Sequence, residues 1–457
     1  MSGLKVQRIQ VSRLFDKLSY DISFDIGEPV AIITAPNGCG KTTMLNILAF
    51  VLSPTGDNVK AVVGVPFRSF RCFLSNGKQL LLERLDAAEA ERRMRDILAR
   101  SPMDPGSIGM KLLRRVGDYR YSVEADGQTE REVFFSDIFD EYYRSLMEGG
   151  LAGNDPDGLE ALADREPREP ITRFMERRLR ELLKACGCEK PVNFIRASRI
   201  QPISIPPATP PRGVMDERVI LKSPLEFACE QIGAEIRAAT EQYSRAVSRA
   251  KDMLPRMFLD GEGGGLDAEQ FLEGWRIYSD ELQRLQEMGL IAQTDDFTRG
   301  KDIASVYADK GQFLSTYLEA FRETTEPLRD IYERLKLFKT ILDERNVITG
   351  KKAVFSRSGV SLVAGGREIP LDTLSSGEKH DFIMFFNLIF NIAPDGLVLI
   401  DEPEISLHIE WQESYLDHLI SICCLNGLQA VVATHSPNII SSHFDCIVEK
   451  GELDERQ

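Results

Sequence analysis

The stretch APNGCGKTT, residues 35–43, contains the residue types that hold a triphosphate. Gly38 and Gly40 allow the backbone to fold so that successive N–H groups face one anion. Lys41 brings a positive charge to the β- and γ-phosphates, and the Thr42 hydroxyl can ligate Mg²⁺. An apolar run before the loop and a helical pattern after it make chance spacing a poor alternative. We therefore predict nucleotide binding by Asn37, Gly38, Cys39, Gly40, Lys41, Thr42 and Thr43.

A second stretch, GLVLIDEP, follows more than three hundred residues later. Its apolar residues predict a buried strand that ends at Asp401 and Glu402. Asp401 can hold Mg²⁺ and its hydration shell, while Glu402 can polarise a water for attack on the γ-phosphate. Alone, this carboxylate pair would indicate only a solvated strand end. The upstream phosphate loop favours the functional interpretation, so Thr42 and Asp401 are the predicted metal ligands.

His435 lies after another apolar strand, in VVATHSP. Its imidazole could hydrogen-bond the γ-phosphate or the attacking water. A lone histidine is more often a capping or core residue. The strand-end position that His435 shares with Glu402 favours a catalytic role for both residues.

The stretch LSSGEKH places Ser375, Ser376 and Gly377 ahead of a helical pattern. The partial positive charge of a helix N-terminus suits a phosphate, so these residues are predicted to contact nucleotide. The simpler alternative is a serine that caps the helix. The order of the motifs, with a long insert before LSSGE and then DE and His, favours the phosphate-binding interpretation.

The remaining patterns predict an α/β chain with four regions. Residues 1–200 read as the lobe with the phosphate loop, including hairpins that turn at Asn76-Gly77 and at Asp126-Gly127. Five prolines within QPISIPPATPPRG indicate a stiff linker at 201–223. Heptad-like spacing predicts a helical hairpin or bundle at 224–346, and strands return in 347–457. One predicted helical seam consists of Leu225, Cys229, Ile232, Ile236, Ala239, Tyr243, Ala246, Ala250 and Met253.

Bulk composition excludes some functions. A net charge of −15 and a pI near 5.1 argue against coating nucleic acid by overall charge, although a local basic groove stays open. The most apolar stretch, 382–393, is too short to cross a bilayer, so no membrane association is expected. Eight cysteines in 457 residues do not indicate a disulfide scaffold, and we expect a cytoplasmic protein.

The motif order resembles that of the ABC-type ATPases. The resemblance implies an ABC ATPase head, with a mixed sheet and an antiparallel β subdomain, that binds ATP and Mg²⁺. It also implies a head-to-tail homodimer or higher homo-oligomer, in which Lys41 of one copy and Ser375 of another hold the same ATP. The long insert, DEPEISLHIEWQ and ATHSPNII are similar to the SMC/RecF/OLD group.

More narrowly, LFDKLSYDISF, IDEPEISLH and THSPNIISSHFDCIVE look like ATPase subunits of anti-phage systems such as PARIS and Septu. The matching motifs cover roughly residues 4–60 and 350–450. This resemblance implies an infection-sensing switch that is triggered by a phage protein and controls a separate TOPRIM- or HNH-type nuclease. The alternative is a RecF- or SMC-like repair or chromosome-maintenance ATPase, whose DNA contacts would include an arginine-rich helix around Arg173 to Lys184. Interleaved glutamates on that helix favour a salt-bridged surface instead.

Some positions depart from the family pattern. Ser376 stands where the signature usually has glycine, and PEISLH lacks the aspartate of the usual D-loop. The residue that connects the lobes, a glutamine in the family pattern, is assigned to Gln201 or, alternatively, to Arg199. Arg13 and Phe15 are candidates for adenine contact by position.

Overall fold

A computed structural model describes residues 4–24, 28–34, 38–62, 64–100, 119–148, 171–196, 223–260, 265–292, 303–346, 350–405 and 407–448. The chain divides into two compact units. One unit comprises residues 1–199 and 392–457, and the other comprises residues 200–391.

The elements follow in chain order. The strands are β1 Val6–Leu14, β2 Leu18–Ser23, β3 Val30–Thr34, β4 Ser69–Leu74, β5 Lys78–Arg84, β6 Tyr119–Ala125, β7 Gln128–Phe134, β8 Val192–Arg196, β9 Lys352–Ser356, β10 Gly359–Ala364, β11 Arg367–Ile369, β12 Leu397–Asp401, β13 Gln429–Thr434 and β14 Ile447–Val448. The α-helices are α1 Lys41–Leu52, α2 Gly56–Val62, α3 Ala87–Arg100, α4 Phe135–Glu148, α5 Ile171–Ala185, α6 Pro224–Leu259, α7 Ala268–Glu287, α8 Ile303–Phe321, α9 Glu326–Arg345, α10 Ser376–Phe386, α11 Ile409–Gln412, α12 Tyr415–Asn426 and α13 Pro437–Ile440.

A five-stranded sheet in the order β14-β3-β13-β12-β8 forms the centre of the first unit, and its described pairings are all parallel. Strands β3, β12 and β13 are buried almost throughout, which explains their continuous apolar sequences. In the register of this sheet, Asp401 pairs with Ala433, and Thr434 pairs with Thr34. The carboxyl ends of three strands from distant parts of the chain therefore meet at one edge.

The second sheet of this unit is antiparallel, in the order β2-β1-β4-β5-β6-β7. Both predicted hairpins are present, and Gly77 and Gly127 occupy their turns with φ of 80° and 75°. The buried residues of α5 recur at helical spacing and form one apolar face: Phe174, Met175, Leu179, Leu182 and Leu183. The α/β class, with an antiparallel β subdomain, is therefore confirmed.

The second unit contains α6 to α10 and the small antiparallel sheet β11-β10-β9. Helix α6 begins with a capping box, in which the Ser223 hydroxyl accepts from the Glu226 N–H, and it contains Pro255 near its end. Leu225, Ile232, Ile236 and Ala250 of the predicted seam are buried. Met253 is 56% exposed, so its assignment to the seam was wrong. Met253 lies near the end of α6, which stops soon after Pro255. The heptad-like spacing of apolar residues does not indicate where along a helix the packing against a neighbour stops.

Grouping by contacts differs from the predicted regions at the C-terminal end. The prediction kept 347–457 together, whereas residues 392–457 group with the first unit and 350–391 with the second. The cause is hydrogen bonding, since β12 and β13 pair with β8 and β3 of the N-terminal half. No helix within the described residues is both long enough and apolar enough to cross a bilayer.

Candidate nucleotide-binding and active site

The phosphate loop runs between β3 and α1, and helix α1 begins at Lys41. Gly38 and Gly40 have φ of 86° and 78°, a left-handed conformation that glycine adopts without steric cost. The Lys41 side chain is buried and Thr42 is exposed at the first turn. The structure thus gives the loop the strand and helix that the sequence predicted, while Asn37 lies outside the described residues.

Two contacts fix this loop from the antiparallel sheet. The hydroxyl of Tyr20, on β2, donates a hydrogen bond to the Cys39 carbonyl, and burial raises the pKa of Tyr20 to about 12. A Cβ atom on Gly40 would lie 2.8 Å from Phe15 Cε2 and 2.9 Å from Leu14 Cδ2. The β1–β2 hairpin therefore packs directly against the loop, which places the adenine candidate Phe15 beside Gly40.

Thr42 and Asp401 form a direct link between α1 and the end of β12. The Thr42 hydroxyl donates to Asp401 Oδ2 over 2.7 Å, although the two residues are 359 positions apart. Among the described residues, the buried Asp401 Oδ1 has no hydrogen-bond partner. A buried carboxylate oxygen without a partner is costly, and a hydroxyl beside a carboxylate is the donor set that Mg²⁺ takes at triphosphate sites. These two residues fit the predicted metal.

Glu402 follows β12 with φ of 49°, in the left-handed region that a non-glycine residue seldom adopts. Its N–H still donates to the Ala433 carbonyl, 2.8 Å away, so the residue remains tied to β13. Such a conformation costs about 1–3 kcal/mol and persists where the surroundings impose it. The Glu402 side chain is 29% exposed.

His435 lies at the end of β13, and its side chain is 46% exposed. Its Nδ1 atom lies 3.9 Å from Glu402 Oε1 and 3.1 Å from Glu404 Oε1. The backbone N–H of His435 donates to the same Glu404 oxygen over 3.1 Å. The structure therefore brings Thr42, Asp401, Glu402 and His435 to the carboxyl edge of one parallel sheet.

Sequence reasoning did not single out Glu404, Gln412 or Tyr20. Gln412 joins the segment after β12 to the His435 loop, because Ser436 Oγ donates to Gln412 Oε1 over 2.9 Å. Its amide Nε2 donates to the carbonyls of Glu404 and Leu407 over 3.4 Å and 3.3 Å. A third acidic residue directly after the DEP motif was a signal that could have pointed to Glu404.

Ser375 lies in the other compact unit, at the N-cap of α10. Its hydroxyl accepts from the Glu378 N–H over 3.3 Å, and its N–H donates to Glu378 Oε2 over 2.8 Å. Burial would raise the pKa of Glu378, but hydrogen bonds from Lys351 and Ser375 hold it below its usual value. A Cβ on Gly377 would meet no described atom within 4 Å. Ser375 therefore caps the helix, as the simpler alternative predicted. In this cap its hydroxyl acts as an acceptor, so the hydroxyl proton can still be donated to a ligand.

The arginine-rich helix α5 carries ion pairs. Arg178 lies 3.1 Å from both Glu141 and Glu181, and Arg180 lies 3.3 Å from Glu176. This agrees with the salt-bridged alternative. Arg199 and Gln201, the candidates for the lobe-connecting residue, lie outside the described residues.

Comparison with known proteins defines the class. Residues 303–441 match the family described as "AAA domain, putative AbiEii toxin, Type IV TA system". This stretch is less than half of the chain and includes Ser375, Asp401, Glu402 and His435. Together with the fold, it defines an ATPase-like protein of the α/β type.

Two solved structures align with most of the chain, with low TM-scores. The Smc head domain of Pyrococcus furiosus, with an extended coiled coil and bound to the C-terminal domain of ScpA, has 13% identity and a TM-score of 0.32, covering 96% of this chain and 91% of that one. The SMC head domain from Thermotoga maritima has 12% identity and a TM-score of 0.34, covering 95% and 91%.

Proposed function

We propose that this protein binds and hydrolyses ATP as an ABC-type switch subunit of a bacterial anti-phage defence system. The observation that carries the ATPase proposal is the hydrogen bond between Thr42 and Asp401. It unites the phosphate loop and the acidic strand end, which the sequence separates widely. The nearby Glu402 and His435 complete the set of groups that hydrolysis of a γ-phosphate requires.

Each side chain has a distinct role in this proposal. Lys41 and the N–H groups of the phosphate loop bind the triphosphate, and Thr42 and Asp401 hold Mg²⁺. When bound, the metal neutralises charge on the phosphate oxygens. Glu402 accepts a hydrogen bond from the attacking water and takes its proton. His435 accepts a hydrogen bond from the water or, when protonated, donates one to the γ-phosphate.

Ser375 is proposed to act on the ATP of a second copy. Ser375 is exposed ahead of α10, and no described atom lies within 4 Å of a Cβ built on Gly377. Both observations support contact with a partner's γ-phosphate. ATP would then stabilise a head-to-tail dimer, and hydrolysis would release it. A ligand that binds the paired state better than the single state is sufficient for such a switch.

The defence role rests on the motifs and on the matched family, whose description names a putative AbiEii toxin and a type IV TA system. The proposed partners are a separate TOPRIM- or HNH-type nuclease and a phage protein as trigger. The alternative is a RecF- or SMC-like ATPase that acts on DNA. The ion pairs of Arg178 and Arg180 give that alternative no support from helix α5.

The test combines turnover and assembly. Wild-type protein should release phosphate from ATP in the presence of Mg²⁺, and Glu402→Gln should lose about 10²–10⁴-fold in rate while still binding ATP. Light scattering after size exclusion should show that Glu402→Gln remains dimeric in ATP and that Lys41→Ala does not. Normal turnover by Glu402→Gln would overturn the mechanism. Tight, salt-dependent binding of duplex DNA by the wild-type protein would favour the repair alternative.

A further inference from the structure

We infer that Glu404 is a positioning residue for His435. It holds the imidazole so that Nε2 is the nitrogen presented to the reaction. This inference rests on the proposed ATPase function and assigns a role to a side chain outside the predicted catalytic set.

The contacts of Glu404 converge on one neighbour. Its Oε1 atom receives the backbone N–H of His435 and lies 3.1 Å from the Nδ1 atom of the same residue. A single carboxylate oxygen therefore fixes both the backbone and the ring of His435. Two contacts to one residue restrict the ring orientation more than either contact could alone.

Burying the Glu404 carboxylate has a free-energy cost that a polar contact must offset. The Glu404 side chain is only 8% exposed, whereas that of Glu402 is 29% exposed. Among the described residues, Glu404 Oε2 is buried without a hydrogen-bond partner. An acidic side chain held in this way needs a charge-assisted contact in compensation, and the described structure provides that contact through His435.

The chemistry of the contact selects the position of the proton. An ionised carboxylate can only accept hydrogen bonds, so the Nδ1 atom of His435 must carry a hydrogen to bond Glu404. The other nitrogen, Nε2, then accepts a hydrogen bond from a water in the neutral ring, and it donates to a phosphate oxygen only when the imidazole is protonated. Without Glu404, a neutral imidazole is free to take the other tautomer and to rotate about its side-chain bonds.

The backbone around Glu404 is also held against the His435 loop. Gln412 accepts from Ser436 Oγ and donates to the Glu404 carbonyl, so the two segments are joined next to the carboxylate contact. Glu402 has a different environment, since its oxygen lies 3.9 Å from the imidazole and its side chain is more exposed. Glu402 therefore remains the group for water activation, and Glu404 acts through His435.

Enzyme kinetics with matched variants test this assignment. Glu404→Ala should lower kcat about 10- to 100-fold with little change in KM for ATP, because the phosphate-binding loop is not altered. Glu404→Gln should recover most of that loss, since its amide oxygen still accepts both hydrogen bonds. In the matched control, Glu402→Gln, kcat should stay far below the wild-type value, because an amide cannot take the proton of the water. Equal losses in Glu404→Gln and Glu402→Gln would make Glu404 a second base and overturn the inference.

A double-mutant cycle separates positioning from a general structural role. In a His435→Ala background, Glu404→Ala should cause no further loss of kcat, because the residue that it positions is gone. Losses that multiply independently would contradict the inference.

Nuclear magnetic resonance provides a readout that does not need turnover. In protein labelled with ¹⁵N at histidine, the His435 signals can be assigned by their absence in His435→Ala. We expect hydrogen on Nδ1 in the wild type and a shift toward the Nε2–H tautomer in Glu404→Ala. An unchanged spectrum would refute the inference even if ATP hydrolysis is confirmed. Absence of ATP hydrolysis with the expected spectrum would refute only the proposed function.

Discussion

Removing the Thr42 hydroxyl should affect nucleotide binding only through the metal. Thr42→Val keeps the shape of the side chain and deletes the donor to Asp401 Oδ2, whereas Thr42→Ser keeps the hydroxyl. Hydrogen bonds to charged groups contribute about 1.5–3 kcal/mol. Because Thr42 is exposed, water can replace the lost hydrogen bond to Asp401 in Thr42→Val when no nucleotide is bound. We therefore expect a loss of about 1 kcal/mol in unfolding free energy.

The larger effect should appear with Mg²⁺ and ATP, where the same hydroxyl is a proposed metal ligand. A loss of about 2–3 kcal/mol corresponds to a roughly 30- to 150-fold weaker affinity. Calorimetric titration with ATP, in Mg²⁺ and in EDTA, should show this loss for Thr42→Val in Mg²⁺ only. Thr42→Ser should stay within about threefold of the wild type. Equal weakening of Thr42→Val in both buffers, or none in either, would refute a metal site at Thr42 and Asp401.

Three further outcomes test the geometry. Gly40→Ala should destabilise the protein by about 2–4 kcal/mol in urea unfolding, from left-handed strain plus overlap with the buried Leu14. Gly38→Ala should cost only about 1 kcal/mol, because no described atom lies within 4 Å of a Cβ built there; equal values would contradict the packing. Ser375→Arg should keep ATP affinity within a few-fold, measured by calorimetry, but abolish the ATP-dependent dimer in light scattering; a dimer that persists would exclude Ser375 from the contact. Burial lowers the pKa of Lys190 to about 8, so the native state gives up this proton before the unfolded state does. The charged Lys190 therefore destabilises the native state below pH 8, and this penalty disappears as the pH rises toward 10.5. The unfolding free energy of the wild type, relative to that of Lys190→Met, should rise by about 3 kcal/mol between these pH values. A difference that does not change with pH would mean that burial does not lower the pKa of Lys190.

Local patterns were sufficient to predict most elements near the site. The apolar runs gave β3, β12 and β13, and the Asn-Gly and Asp-Gly pairs gave two hairpins, because these features depend on neighbours within a few residues. Met253 was misassigned because spacing alone does not reveal where a helix loses its packing partner. The grouping of 392–457 with the N-terminal half also depends on strand pairing, which no local pattern encodes.

The contacts that make the candidate site depend on strand order. Asp401 reaches Thr42 because β12 pairs with β13, which pairs with β3, and the phosphate loop follows β3. The sequence could name Thr42, Asp401 and His435 from their positions after strands, since the ends of parallel strands meet at one edge. The acidic residue after the DEP motif was a signal for Glu404, but its contact with His435 could not be predicted, because that contact depends on the left-handed turn at Glu402. A residue before that turn can be placed from the strand, whereas one after it can be placed only from the conformation of the turn.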